Sequence, residues 1–193
     1  GHAAVETLEV LRALAHAHVS AELDCLTVVS SAHIHLASGR AEEASSEAET
    51  AYNMAREHNL VEAGLGLALL VAEAALDAGQ SDKVLDYGNH LSELGTGYGY
   101  PYIARRGRDL ASLGAVLTST GDRALDALQS LHGVLREAQE SAAVREQLHA
   151  HVLLFRALSH LGSGRDAEHH RREAVSYARL CHADGIRNRL ERD

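Results

Sequence analysis

A six-residue stretch that occurs twice decides the fold of this chain. Residues 35–40 read His-Leu-Ala-Ser-Gly-Arg, and residues 160–165 read His-Leu-Gly-Ser-Gly-Arg. Two further turn-like glycines lie between the copies, so that glycines recur at positions 39, 79, 121 and 164. Each follows an apolar stretch and precedes a polar one, where a turn between helices needs a residue that tolerates a positive φ. A period of about 40 residues is typical of an array of helix pairs.

A small residue stands seven positions before each of these glycines. A small side chain at this place in the first helix of a pair lets the second helix approach closely. The four small residues are Ala32, Ala72, Gly114 and Ala157. We therefore expect one all-α domain over residues 1–193, a right-handed superhelical array of antiparallel helix pairs. The predicted pairs span residues 20–58, 61–95, 101–139 and 141–183, with a leftover helix at 3–17 and the start of a further helix at 186–193.

Three segments carry individual expectations. Residues 41–57 are predicted to form a polar helix with a stripe of alanines and a solvated face of glutamates. Residues 61–78 are the most apolar stretch, and we expect neighbouring helices to cover this helix on nearly all sides. Residues 95–102 contain three glycines, a proline and three tyrosines, which indicates an irregular segment.

Composition narrows the classes of function. Only 4% of the 193 residues are aromatic although 46% are hydrophobic, which indicates closely approaching helices rich in alanine and leucine. The formal net charge of −9 argues against nucleic-acid binding by this domain, since phosphate contacts need clustered Lys and Arg. Cys25 and Cys181 are expected to be buried thiols in a cytoplasmic protein. No apolar run is long enough for a membrane span. Because the sequence lacks an initiator Met and begins Gly1-His2, we expect a fragment of a larger protein.

The turn around Gly39 resembles that of a tetratricopeptide (TPR) repeat. Such a turn has a small residue seven positions before its glycine and an alanine five positions after it. Ala32, Gly39 and Ala44 match all three positions, and Ala72 and Gly79 match two of them in the next repeat. The chain resembles the divergent, long-helix TPR-like arrays of large LuxR-type, MalT-like bacterial transcriptional regulators and related signalling ATPases.

Catalytic and metal-binding motifs are absent from the sequence. It contains no phosphate loop, no nucleophile elbow and no HExxH or CxxC motif, so we expect neither an enzyme nor a cofactor. The pairs His33/His35 and His149/His151 are two residues apart and point to different sides of a helix, so neither pair can share one ion. A metal site is therefore not expected, and a site formed by histidines from different helices is the alternative.

The TPR resemblance implies that the first helix of each pair lines an inner groove. It assigns the groove positions six, ten or thirteen residues before the turn glycine, and those two or three before it. The candidate partner-binding residues are His33, Glu73, Arg108, Thr118 and His151, with Tyr98, Tyr100 and Tyr102 beside them. The tyrosine–glycine segment is interpreted either as a loop that covers the seam between two pairs or as a contact loop.

The resemblance implies a non-enzymatic recognition or sensor module of a LuxR-type regulator. Its partner would be a protein, a peptide or a small effector, and the domain itself would bind neither nucleic acid nor membrane. The alternative is a structural scaffold or oligomerisation segment of a signalling ATPase. In that case copies of the chain would associate through the terminal helices, at Leu8, Leu11 or Ile186.

Overall fold

The computed structural model of the chain describes residues 20–191, which form nine α-helices and no β-strand. The helices are α1 (Ala21–Ala37), α2 (Ala41–Glu57), α3 (Val61–Asp77), α4 (Ser81–Gly97), α5 (Pro101–Thr118), α6 (Asp122–Glu140), α7 (Val144–His160), α8 (Gly164–Leu180) and α9 (Asp184–Leu190). The predicted all-α class is confirmed. The helix predicted at 3–17 lies outside the described residues.

The chain divides into two compact units, Gly1–Arg108 and Asp109–Asp193, and the division falls within α5. In the first unit, α1 packs against α2 and α3, α2 against α3, and α3 against α4. In the second unit, α6 packs against α7, α7 against α8, and α8 against α9. Each of these helices thus contacts its neighbours along the chain, as in a helical repeat array.

The helices begin at a nearly constant interval. Helices α1 to α5 begin at residues 21, 41, 61, 81 and 101, and α7 to α9 begin at residues 144, 164 and 184, a spacing of 20 residues. Seven of the nine described helices are followed by a short linker with one residue in the left-handed region; α5 and α9 are the exceptions. In these linkers the left-handed residues are Gly39, Asn59, Gly79, Gly99, Ala142, Gly162 and His182. The structural unit is therefore one helix with its linker, half of the predicted repeat.

The left-handed residue closes each helix with the same hydrogen bond. At the end of α1, the N–H of Arg40 donates to the carbonyl of His35 at 2.9 Å, and the same bond recurs at the six other linkers that have a left-handed residue. This bond satisfies a carbonyl that the end of a helix would otherwise leave unpaired. The prediction of a turn at Gly164 was wrong, because Gly162 takes the left-handed position and Gly164 is the first residue of α8. At the third turn, Gly121 has a positive φ but caps the start of α6.

Replacing Ala142 or His182 with glycine should stabilise the protein. Both residues have a positive φ, 52° and 54°, which costs a residue with a Cβ about 1–2 kcal/mol. Because glycine also loses more conformational entropy on folding, we expect each substitution to raise the free energy of unfolding by roughly 0.5–1 kcal/mol. Urea denaturation measures this change. Asn59→Gly is the control, and its gain should be smaller because asparagine tolerates this conformation. Equal gains at all three positions would contradict the strain argument.

Small side chains fill the places where helices meet. Ala32, Ala72 and Ala157 are fully buried and Gly114 is buried. These are the small residues seven positions before the turn glycines, and their burial was predicted. The alanine stripe of α2 is buried as well, at Ala44, Ala48, Ala51 and Ala55. Helix α3 buries most of its side chains and leaves Val61, Glu62 and Gly66 exposed, so its predicted coverage is largely confirmed.

The tyrosine–glycine segment is more helical than predicted. Helix α4 continues to Gly97 and α5 begins at Pro101, so only residues 98–100 are non-helical. Gly95 in this segment and Gly107 on α5 allow close packing within the first unit. A Cβ on Gly95 would lie 2.4 Å from the backbone nitrogen of Ala104, and one on Gly107 would lie 2.3 Å from that of Ser92. These glycines therefore let α4 and the start of α5 touch backbone to backbone.

The two cysteines differ in burial. Cys25 is buried and its Sγ lies 3.9 Å from the carbonyl oxygen of Ala51, whereas Cys181 is half-buried. The expectation of two buried thiols is confirmed for Cys25 and wrong for Cys181. Among the described helices, none is both long and apolar enough to span a membrane.

Candidate functional site

The predicted partner-binding residues are distributed over both units. In the first unit, His33 is exposed on α1, Glu73 is half-buried on α3 and Arg108 is exposed on α5. In the second unit, the Thr118 hydroxyl donates to the carbonyl of Gly114 at 2.9 Å. His151 is only 4% exposed. No hydrogen bond or ion pair joins these five side chains to one another within residues 20–191.

Two exposed tyrosines, a half-buried arginine and an exposed arginine lie together in sequence at the end of the first unit. Tyr98 and Tyr102 are 56% and 53% exposed, which is unusual for rings in a chain with few aromatic residues. The guanidinium of Arg105 lies over the ring of Tyr102, 6.0 Å from its centroid. Arg108 is exposed and follows Arg105 by three residues on the same helix, so the two arginines are neighbours on its surface. We call Tyr98, Tyr102, Arg105 and Arg108 the tyrosine–arginine surface.

Inward contacts hold this surface in place. Arg106 Nη2 donates to Glu73 Oε1 at 2.5 Å, and the Arg106 side chain is only 12% exposed. The Tyr100 hydroxyl donates to Glu62 Oε1 at 2.9 Å. Both bonds connect α3 with the α4–α5 linker or α5, so Arg106 and Tyr100 anchor the segment while their neighbours face outward.

Arg108 is an exposed cation on an acidic protein. Its side chain is exposed, and no hydrogen bond or ion pair joins it to another described residue. The chain as a whole carries a formal net charge of −9. A guanidinium presents a planar set of donors that fits a carboxylate. Together with the exposed tyrosine rings at this end of the first unit, it suits a ligand that carries both negative charge and apolar groups.

The second unit contains a buried contact between two histidines. His151 on α7 is 4% exposed, His170 on α8 is 7% exposed, and their Nδ1 atoms lie 2.9 Å apart. The Tyr177 ring stacks on His151 with a centroid distance of 5.5 Å, and its hydroxyl donates to Gln147. Burial lowers the pKa of both imidazoles to about 4, and nearby histidines add to the effect. Both rings are therefore uncharged near neutral pH.

The two histidines of each closely spaced pair point to different sides of their helix, as predicted. His149 faces α5, where its Nε2 lies 3.5 Å from Oδ2 of the buried Asp109, whereas His151 faces α8. His35 lies 3.4 Å from Glu47 Oε2 on α2, and His33 points to solvent. The His151–His170 contact joins different helices and was left open by the sequence. The only signal for it was the number of histidines in this half of the chain.

The glutamates of α2 form more than a solvated face. Glu49 Oε2 accepts from Lys83 Nζ at 2.9 Å, and its Oε1 accepts from the Tyr87 hydroxyl at 3.1 Å. The hydrogen bond from Lys83 lowers the pKa of Glu49. Tyr52 on the same helix contacts His90 Nε2 through its hydroxyl. These bonds join α2 to α4, so the prediction of a solvated face fails at Glu49 and holds at Glu42 and Glu43, which are exposed.

Within the described part of the chain, no three His, Cys, Asp or Glu side chains are arranged to hold a metal ion. Comparison with protein-family models found no matching family, and comparison with curated proteins found no matching relative. The proposed function therefore rests on the fold and on the geometry of these surfaces.

Proposed function

We propose that this chain is a non-enzymatic recognition module that binds an acidic segment of a partner protein at the tyrosine–arginine surface. The observation that carries the proposal is the exposed guanidinium of Arg108, unpaired among the described residues, at the same end of the first unit as the exposed rings of Tyr98 and Tyr102. Tyrosine and arginine are enriched at protein interfaces, where they supply rigid contact area and charged hydrogen bonds. A positive surface on an acidic chain also selects against basic partners.

The repeat architecture favours the same kind of function. Arrays of helix pairs present extended surfaces on rigid elements and are widely used for binding rather than for chemistry. The turn pattern resembles that of TPR-like arrays in LuxR-type bacterial regulators. We therefore propose that this chain is a cytoplasmic sensor segment of such a regulator. The signal would be the binding of the partner protein. The module would work by holding that partner, with no bond made or broken.

Arg108→Ala should weaken binding of an acidic peptide 5- to 150-fold. A hydrogen bond to a charged group contributes about 1–3 kcal/mol, and alanine removes it without disturbing an internal contact. The peptide is obtained by selection from a displayed random library, and its affinity is measured by fluorescence anisotropy. A version of the peptide with amides in place of its carboxylates should bind as weakly to the unchanged protein.

Arg123→Ala is the matched control, because Arg123 is also an exposed arginine with no bond to a described residue. It should leave the affinity unchanged. If Arg108→Ala binds normally and the double variant Glu42→Gln/Glu43→Gln does not, the partner occupies the outer face of α2 and the proposed surface is wrong.

A further inference from the structure

We propose that the His151–His170 contact is an acid-labile latch that holds α7 against α8 in the second unit. The two Nδ1 atoms lie 2.9 Å apart, so a single proton is shared along a hydrogen bond from one neutral imidazole to the other. Protonation of the accepting imidazole places a second N–H in that gap. The bond is then lost, and a positive charge is left in a buried site.

No carboxylate lies close enough to compensate this charge by a salt bridge within the described chain. The groups that face the pair are His132 from α6, His169 and Asp166 from α8, and the phenol of Tyr177, which stacks on His151. His132 and His169 oppose protonation of the pair, as does each member of the pair for the other, whereas Asp166 favours it. On the opposite side of α7, Asp109 pairs with His149.

The direction of the pH effect follows from proton linkage. Both imidazoles have a pKa of about 4 in the folded protein, below the ordinary value of 6.5. Between these values the unfolded chain binds more protons than the folded chain, so stability falls as the pH is lowered. The stabilisation is complete above pH 6.5 and is lost progressively towards pH 4. One such histidine raises the unfolding equilibrium constant about 30-fold between pH 8 and pH 5.

Two measurements on the full chain test the latch. Nuclear magnetic resonance of the imidazole nitrogens should show His151 and His170 titrating well below pH 6. Urea unfolding at pH 8 and pH 5 should show a loss of stability that the double variant His151→Asn/His170→Asn largely removes. An asparagine pair keeps an N–H and an acceptor near the two Nδ1 positions but does not titrate in this range.

The control is His33→Asn, at an exposed histidine of the first unit, which should keep the full acid-dependent loss. Titration of His151 and His170 near pH 6.5 would overturn the proposal, and so would an undiminished acid-dependent loss in the double variant. If the double variant does not fold, the imidazole titration of the unchanged protein decides alone. Neither outcome tests the proposed binding at the tyrosine–arginine surface, because that surface belongs to the first unit.

Discussion

Gly107→Ala should lower the free energy of unfolding by roughly 1–3 kcal/mol, towards the upper end of the range for overpacked cores. A Cβ at this position would lie 2.3 Å from the backbone nitrogen of Ser92 and 2.8 Å from the carbonyl oxygen of Gly88. Both are main-chain atoms of α4, so no side chain can rotate away and the helices must move apart. Urea denaturation followed by circular dichroism measures the change.

Gly66→Ala is the matched control for this substitution. Gly66 also lies within a helix, but a Cβ there meets no heavy atom within 4 Å. Alanine is the better helix former by about 0.5–1 kcal/mol, so Gly66→Ala should stabilise the protein. Opposite signs at the two glycines are the expected result. A stable Gly107→Ala variant would show that α4 and α5 are not in backbone contact.

Ala72→Leu should destabilise the first unit by roughly 1–3 kcal/mol, because it adds three carbon atoms where the core has no space. Ala72 is fully buried on α3, which packs against α1, α2 and α4. The free energy of unfolding in urea measures the effect. Ala37→Leu serves as the control, since Ala37 is exposed on α1 and its substitution should change stability by less than about 0.5 kcal/mol. Equal effects at the two alanines would contradict the placement of Ala72 in the core.

Much of the fold could be predicted because it follows from local backbone needs. A glycine in the left-handed region costs little, so Gly39 and Gly79 mark their turns in the sequence. Asn59, Ala142 and His182 occupy equivalent positions without being glycine, and the 20-residue interval was missed for that reason. Gly95 was the reverse case. It belongs to the stretch that indicated an irregular segment, but it allows close packing between helices, which depends on the helix that α4 meets.

The candidate surfaces were harder to predict than the turns. The groove positions implied by the TPR resemblance pointed to Arg108, and the composition of residues 95–102 pointed to the tyrosines. Neither could identify the contact between His151 and His170, since that contact depends on the rotation of α8 relative to α7. Glu49 was missed for the same reason, because Lys83 and Tyr87 reach it from α4.

Hydrogen exchange of the chain with a bound acidic peptide tests the proposed recognition function most directly. The peptide is the one selected by display, and exchange is followed by mass spectrometry of proteolytic fragments at saturating and zero peptide. We predict slower exchange in fragments covering residues 98–108, where the tyrosine–arginine surface lies. Protection confined to α2, with residues 98–108 unchanged, would contradict the account.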